Sequence, residues 1–155
     1  MRSGMNSFTL RDMTYADLDA VLQVEITVFP SPWSRSSFEI ELAKPYSVAI
    51  IAEAEGSLAG YGVAWLVADE IHIANVAVHP DFRRRGLGRA LVERLLESGE
   101  SAKGAFLEVR IRNSDAIRLY RQLGFQDIGI RKKYYQEENE DALLMRKDLV
   151  IMDKR

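Results

Sequence analysis

The sequence predicts a mixed α/β fold, a sheet with helices on its faces. Alternating and helical patterns follow one another in the order strand, helix, helix, three strands, helix, strand, helix, two strands. No repeat or Pro/Gly-rich linker separates these elements, and 155 residues is an ordinary length for one domain. Residues 1–155 are therefore predicted to form a single domain.

The first three elements are set by alternation and by helix-capping residues. The stretch "FTLRDM" alternates and predicts a short strand. Thr14 and Asp17 have the spacing of a capping box and open a helix, whose apolar positions are Leu18, Val21, Leu22 and Val28. The two prolines of "FPSPWS" end that helix, and Ser34 is placed to cap a second one that carries Phe38 and Leu42.

The middle of the chain predicts three strands and a helix. A turn at Glu55–Gly56 separates the first two strands, and "DEIHIANVAVHP" predicts the third. The alternation in that third strand changes phase near Asn75, which is typical of a β-bulge. The helix that follows runs from Gly86 to about Ser98, with its apolar face formed by Leu87, Ala90, Leu91, Val92 and Leu95.

The last part of the chain predicts a strand, a helix and two closing strands. "AFLEVRI" is the strand, and the helix that follows is capped by Asn113 and ended by Gly124. "FQDIGIRKKYY" and "EDALLMRKDL" predict the final pair of strands.

Composition excludes several classes of function. The net charge of −2 and the pI near 5.8 argue against a dedicated polyanion binder, so no direct nucleic-acid partner is predicted. Because there is no cysteine, disulfides, zinc–thiolate sites and thiol nucleophiles are excluded. Two histidines and scattered carboxylates give no convincing metal-ligand spacing, so no metal is expected. The start lacks a signal peptide and no apolar run could span a membrane, so a cytoplasmic protein is expected, translated from Met1 or Met5.

A phosphate-binding loop is one interpretation of "HPDFRRRGLGRALVERLL", residues 79–96. The first N–H groups of a helix lack partners and attract anions. Gly86 and Gly88 remove side chains that would block a phosphate, and Arg83, Arg84 and Arg85 add positive charge. The alternative is an ordinary solvated helix start, although arginines at a helix N-terminus are unfavourably placed unless an anion binds there.

The stretch "VAVHPDFRRRGLGRALV" resembles the acetyl-coenzyme A signature of the GNAT acetyltransferases, R/Q-x-x-G-x-G/A between a strand and a helix. The resemblance implies a mostly antiparallel mixed sheet with helices on both faces and a splayed central strand pair. It implies acetyl-CoA as co-substrate, with the pantetheine arm and the pyrophosphate held by Val76, Ala77, Val78, Arg83, Arg84, Arg85, Gly86, Leu87, Gly88 and Arg89. Asn113 is carried as a further coenzyme contact, with helix capping as the alternative.

A narrower resemblance extends from about Phe8 to Met145. The motifs "PWS", "LEVR..N..A..LY..LGF", "R..YY" and "EDALLM" together resemble the ribosomal-protein alanine N-acetyltransferase branch, the RimI type. That branch implies that the acceptor is the N-terminal alanine of a small-subunit ribosomal protein. We predict direct attack in a ternary complex, since the lack of cysteine removes one obvious covalent carrier.

Two residues are the catalytic candidates. Glu108 interrupts an apolar strand, and its alternative is an outward-facing surface glutamate. Tyr120 stands four residues before Gly124, and its alternative is a core aromatic side chain. The resemblance implies that Glu108 is the general base and Tyr120 the acid that protonates the leaving thiolate. An α-amine has a pKa of about 7.7–8.0, so one carboxylate is an adequate base for it.

Glu70 and His72 form a second candidate base pair, because they lie two residues apart on one face of a strand. A half-buried histidine without a catalytic role is the alternative for His72. Trp33, Tyr134 and Tyr135 are the candidates for an acceptor groove, with edge packing as their alternative.

Two other functions remain open at this stage. One is a GNAT enzyme that acts on lysine side chains or a small amine, and the other is a non-catalytic CoA-sensing module. The expected partner is a protein or peptide N-terminus, and the expected oligomeric state is a monomer or weak dimer.

Overall fold

The computed structural model describes residues 7–135 and 139–149, and its centre is one seven-stranded sheet. The strands are β1 (Thr9–Asp12), β2 (Ser47–Ala54), β3 (Ser57–Val67), β4 (Glu70–Val78), β5 (Gly104–Arg110), β6 (Gln126–Tyr135) and β7 (Glu140–Asp148). The helices are α1 (Leu18–Val28), α2 (Arg35–Ala43), α3 (Leu87–Glu97) and α4 (Ser114–Gln122), with short 3₁₀ turns at Tyr15–Asp17 and Pro80–Phe82. This order confirms the predicted succession of strands and helices.

The strands lie side by side in the order β1-β2-β3-β4-β5-β7-β6. All neighbours in this described sheet are antiparallel except β4 and β5, which are parallel. Their pairing covers four residue pairs, from Glu70 opposite Gly104 to Ile73 opposite Leu107, and then stops. Beyond that point the two strands separate, so a cleft opens in the middle of the sheet.

A bulge in β4 precedes the separation. Val63 of β3 pairs with Asn75 and the next residue, Ala64, pairs with Ile73, so Ala74 has no partner on β3. An extra residue of this kind bends the strand and increases its twist. The change of phase that the sequence shows near Asn75 is this bulge.

The sheet carries a separate apolar core on each face. On one face α3 and α4 contribute Leu87, Leu91, Leu95 and Ile117 to the larger core. On the other face α1 and α2 contribute Leu18, Val21, Val24 and Phe38, which pack against Tyr61 and Val63 of β3. The helices therefore cover both faces, as the fold prediction requires.

The predicted caps and turns are present. The carboxylate of Asp17 accepts the backbone N–H of Thr14 at 2.7 Å, and Ser34 accepts the N–H of Ser37 at 3.1 Å. Gly124, with φ of 97°, follows the end of α4 in the left-handed conformation that a helix terminus favours. Across the described ranges, no helix is long and apolar enough to cross a membrane.

Candidate active site

The cleft between β4 and β5 contains two cavities, a smaller one of about 260 Å³ and a larger one of about 690 Å³. Both are lined by Phe29, Val76, Asn113, Ala116 and Tyr120. The two cavities are therefore adjoining compartments of one cleft, and Tyr120 lies where they meet.

The larger cavity extends from β4 to the N-terminus of α3. Its lining includes Val76, Ala77 and Val78 from β4 and, from the loop and helix, Arg83, Arg84, Gly86, Leu87, Gly88 and Arg89. The first helical N–H bond of α3 is the one from Ala90 to Gly86, so the N–H groups of residues 87–89 have no helical acceptor. The arginines and these free N–H groups make this end of the cleft suitable for an anion.

Two residues of the loop adopt the left-handed conformation. Arg84 has φ of 66° and Gly86 has φ of 81°. Left-handed residues within a loop turn successive N–H groups into a concave anion-binding surface. The left-handed conformation costs a non-glycine residue about 1–2 kcal/mol, so Arg84 is strained. Strain of this kind is concentrated at functional sites.

Arg85 lies apart from the other two arginines of the loop. Its Nη1 donates to Glu55 at 2.6 Å, and its guanidinium stacks on Phe82 at 5.0 Å. It is not among the residues that line the larger cavity. The sequence places Arg85 with the phosphate-binding residues, whereas the structure engages it with the turn between β2 and β3.

Asn113 lines both cavities and also caps α4. Its side-chain oxygen accepts the N–H of Ala116 at 3.2 Å. The side-chain oxygen is thus committed to the helix, and the side-chain amide nitrogen is the group left for a ligand.

The smaller cavity is lined by Glu108 from β5 and by Trp33, Phe29 and Tyr135. Leu107 and Val109 are buried in the core, whereas Glu108 lies on the opposite face of β5 and reaches the cleft. The structure thus brings Glu108 and Tyr120 to one cavity. Two of the three predicted acceptor residues, Trp33 and Tyr135, are brought there as well.

His72 and Glu108 share a hydrogen bond, in which Nε2 of the imidazole lies 2.7 Å from Oε1 of the carboxylate. We assign the proton of this bond to Nε2, because an ionised carboxylate can only accept. The imidazole stacks on Phe106 at 4.5 Å and meets the edge of Trp65 at 4.9 Å. Within the described residues, Oε2 of Glu108 forms no hydrogen bond.

Glu70, the other member of the second candidate pair, lies away from the cleft. Arg146 donates two hydrogen bonds to its carboxylate, at 2.6 and 3.0 Å. Glu70 lines neither cavity. The structure therefore does not bring Glu70 to the cleft with the other candidate residues. Tyr134 also lies outside both cavities, with its ring 5.0 Å from that of Tyr135.

The two tyrosines of the smaller cavity are held in their protonated form. Burial, with a smaller contribution from Tyr135, raises the pKa of Tyr120 well above that of a free tyrosine. Burial is also the main reason that the pKa of Tyr135 rises to about 12. Within the described residues, the Tyr120 hydroxyl forms no hydrogen bond, so it is free to donate to a ligand in the cleft.

The main residue of the cavity lining that sequence reasoning missed is Glu25. Its carboxylate is 1% exposed, lines the smaller cavity, and accepts from the Tyr61 hydroxyl at 2.5 Å, Asn75 Nδ2 at 3.0 Å and the Trp33 N–H at 2.8 Å. The signal was available, because position 25 falls on the apolar stripe of α1 between Val21 and Val28. A carboxylate in such a stripe needs buried partners.

Arg110 was missed as well. It lines the smaller cavity, where its guanidinium lies 4.0 Å from the ring of Tyr135 and 3.4 Å from Glu140. Over residues 7–135 and 139–149, no cluster of three or more His, Cys, Asp or Glu side chains could hold a metal ion.

Comparison with known proteins gives matches over most of the chain. Residues 18–125 match the model of the acetyltransferase (GNAT) family. A Bacillus subtilis protein, provisionally named a [ribosomal protein bS18]-alanine N-acetyltransferase, is 40% identical over 88% of this chain and 92% of its own length. The N-alpha-acetyltransferase RimI of Mycobacterium tuberculosis is 34% identical over 96% of this chain and 97% of its own.

The fold is similar to that of a solved enzyme. The crystal structure of the ribosomal-protein-S18-alanine N-acetyltransferase from Escherichia coli superposes with a TM-score of 0.85 at 32% identity. The superposition covers 96% of this chain and 98% of that one.

Proposed function

The chain belongs to the GNAT family of acetyltransferases, and on that premise we propose that it transfers the acetyl group of acetyl-CoA to the α-amine of a protein N-terminus. One observation carries the proposal. Glu108 and Tyr120, a carboxylate and a protonated phenol, line the same cavity at the point where β4 and β5 separate. A base for the amine and an acid for the leaving sulfur are what this transfer needs.

The residues of the larger cavity fit the coenzyme. Around Gly86 no atom lies within 4 Å of the position that a Cβ would occupy, so the backbone is open to a ligand there. The N-terminus of α3, the left-handed residues 84 and 86, and Arg83 and Arg89 together suit a pyrophosphate. Residues 76–78 pair with β3 on one side and have no partner on β5 on the other, so the polar groups on the β5 side, apart from any engaged by Arg83, are available to the amides of the pantetheine arm.

The smaller cavity fits a small cationic group. Among the described residues, its lining carries two carboxylates, Glu25 and Glu108, and one arginine, Arg110, which is paired with Glu140. The resulting negative charge favours an ammonium group over an anion. The aromatic walls Phe29, Trp33 and Tyr135 leave about 260 Å³, which favours the end of a peptide chain with a small first residue.

Acetyl-CoA, when bound, supplies a thioester carbonyl and a thiol leaving group. The acceptor ammonium first loses one proton to solvent, and the resulting amine attacks the carbonyl carbon, so a C–N bond forms and the C–S bond breaks. Glu108 takes the proton that the nitrogen loses, and the Tyr120 hydroxyl gives the proton that the sulfur gains. A proton then passes through solvent from Glu108 to Tyr120, and both groups return to their starting state. The raised pKa of Tyr120 keeps its hydroxyl protonated at neutral pH, as a donor must be.

We assign the N-terminal alanine of a small-subunit ribosomal protein as the acceptor. The names of the relatives from Escherichia coli and Bacillus subtilis, which specify alanine on ribosomal protein S18, support this acceptor. We also propose a cytoplasmic location, which a ribosomal-protein acceptor supports. We further propose that residues 1–155 form one acetyltransferase domain, since the described strands all belong to a single sheet.

Incubation with labelled acetyl-CoA and whole ribosomal proteins tests the proposal, with the modified residue identified by mass spectrometry. We expect label on one N-terminal alanine. Glu108→Gln and Tyr120→Phe should each lower turnover by about 100-fold or more while coenzyme binding is retained. Label on lysine side chains, or equal activity on peptides with blocked N-termini, would replace this function with the lysine alternative.

A further inference from the structure

His72 lies in a row of ring-bearing side chains that crosses three strands. Trp65 of β3 pairs with His72 of β4, and His72 pairs with Phe106 of β5, so the three side chains share one face of the sheet. The imidazole lies between the other two rings, 4.9 and 4.5 Å from their centres. Packing on both sides fixes the ring plane, and with it the direction in which Nε2 points.

The next residue on this face of β5 is Glu108. It stands two positions beyond Phe106, just after the last paired residue of the parallel ladder. Glu108 is therefore the first side chain of this face that lies beside the open cleft. Its bond to Nε2 of His72, at 2.7 Å, ties the carboxylate back to the closed part of the sheet.

The row is fixed at its outer end too. The indole Nε1 of Trp65 donates to the buried Glu41 at 2.6 Å, and Glu41 also accepts from Lys44 and Ser47 at 2.8 Å. Trp65 thus has little freedom to turn, and the ring of His72 has little room to move.

We propose that His72 is a positioning residue for Glu108: its Nε2–H holds Oε1 of the carboxylate, so that Oε2 is presented to the acceptor amine. The inference rests on the proposed function, in which Glu108 is the base. His72 does not line the smaller cavity and so acts through Glu108 rather than on the substrate. Because Oε1 already accepts one proton donor while Oε2 accepts none from the described residues, the proton from the amine goes to Oε2.

Two variants separate the hydrogen bond from the packing. His72→Phe keeps an aromatic ring between Trp65 and Phe106 but has no donor. His72→Gln has an amide N–H close to the position of Nε2 and can donate to Glu108. A base displaced by about 1 Å can lose about 100-fold in rate. We therefore expect His72→Phe to lower kcat by about 10- to 100-fold with the KM for acetyl-CoA unchanged, and His72→Gln to recover most of the loss.

The double variant His72→Phe/Glu108→Gln gives the decisive measurement. If His72 acts through Glu108, replacement of His72 in the Glu108→Gln background should change kcat by less than about twofold. A further loss similar to that of His72→Phe alone would overturn the inference. So would a His72→Phe enzyme with unchanged kcat, or a His72→Gln enzyme no better than His72→Phe.

Failure of the inference can be told from failure of the proposed function. If Glu108→Gln retains full activity, the base assignment itself is wrong. If Glu108→Gln is impaired and His72→Phe is not, only the positioning role is wrong. Thermal unfolding and coenzyme binding of each variant show whether the fold is intact, and His72→Gln remains an informative variant if His72→Phe does not fold.

Discussion

Replacement of Glu25 by glutamine should destabilise the protein even though the shape of the side chain is kept. The buried carboxylate accepts three hydrogen bonds: Oε1 accepts from Tyr61 and Asn75, and Oε2 accepts from the Trp33 N–H. A glutamine presents one acceptor oxygen and one NH₂ group in place of the two oxygens. With Trp33 and Asn75 in the orientations of the structure, the N–H of one or the other must then face the new NH₂ group, whereas the Tyr61 hydroxyl can turn to accept.

The loss of unfolding free energy is set by the less costly of the two ways in which the glutamine amide can be oriented. If the amide nitrogen takes the place of Oε2, the N–H of Trp33 loses its acceptor while both bonds to the other oxygen remain. A buried donor without a partner costs about 1–3 kcal/mol. We expect the free energy of unfolding to fall by about 2 kcal/mol, which lowers the melting temperature by about 4–8 °C for a chain of this length.

Urea denaturation followed by circular dichroism measures this change, and the denaturant slope should be the same as in the wild type. Tyr61→Phe is the matched control, since it removes one donor and leaves the carboxylate with two. The lost bond is to a charged group and is worth about 1.5–3 kcal/mol, so the cost should be similar to that of Glu25→Gln. In kinetic assays, Glu25→Gln should raise the KM for the peptide, because the Trp33 backbone is no longer fixed, and leave coenzyme binding unchanged. A Glu25→Gln protein as stable as the wild type would refute this account of the three donors.

Three further outcomes are expected. Gly86→Val should weaken acetyl-CoA binding, measured by calorimetry, by about tenfold, because valine strains the left-handed conformation by about 1–2 kcal/mol and the loop must change shape. Arg83→Ala should weaken it less, and the reverse order would contradict the importance of the backbone. Trp33→Ala should raise the KM for the peptide without altering the Kd for acetyl-CoA, since Trp33 lines only the smaller cavity; equal effects on both would be evidence against separate compartments. The pKa of Tyr135 is about 12 when folded and about 10 when unfolded. The stability that comes from keeping Tyr135 protonated is thus complete below pH ~10 and is lost as the pH rises toward 12. Tyr135→Phe should therefore lose stability less steeply than the wild type when denaturation is measured at high pH. Identical profiles for the two proteins would contradict the raised pKa of Tyr135.

Helices and strands could be predicted from the sequence because their signals are local. The caps at Thr14 and Ser34 and the turn at Glu55–Gly56 each depend on residues within a few positions of one another. The bulge was visible for the same reason, since an extra residue in β4 shifts the alternation on either side of Asn75. Glu25 was also recognisable in principle, as a carboxylate on an apolar stripe.

The partner of Glu70 could not be predicted, because it lies on a strand that is distant in sequence. Glu70 pairs with Gly104 of β5, and Arg146 stands on β7 at the far side of that strand. A Cβ at Gly104 would collide with the Arg146 guanidinium, so the glycine is what lets the arginine reach across β5 to Glu70. Local sequence places Glu70 and His72 on one face and suggests a pair. The order of the strands in the sheet instead brings Glu70 within hydrogen-bonding distance of Arg146.

The same dependence on register explains why the partner of His72 is Glu108. Residues 72 and 108 are 36 positions apart, and they meet only because the parallel ladder sets His72 opposite Phe106. A shift of β5 by one residue would turn Glu108 to the core face and put an apolar neighbour beside the imidazole. The parallel register therefore sets the position of the proposed base, and the point at which the ladder stops decides that this base lies beside an open cleft. A carboxylate at position 106, the preceding position on this face, would instead lie within the paired part of the two strands, directly opposite His72 of β4.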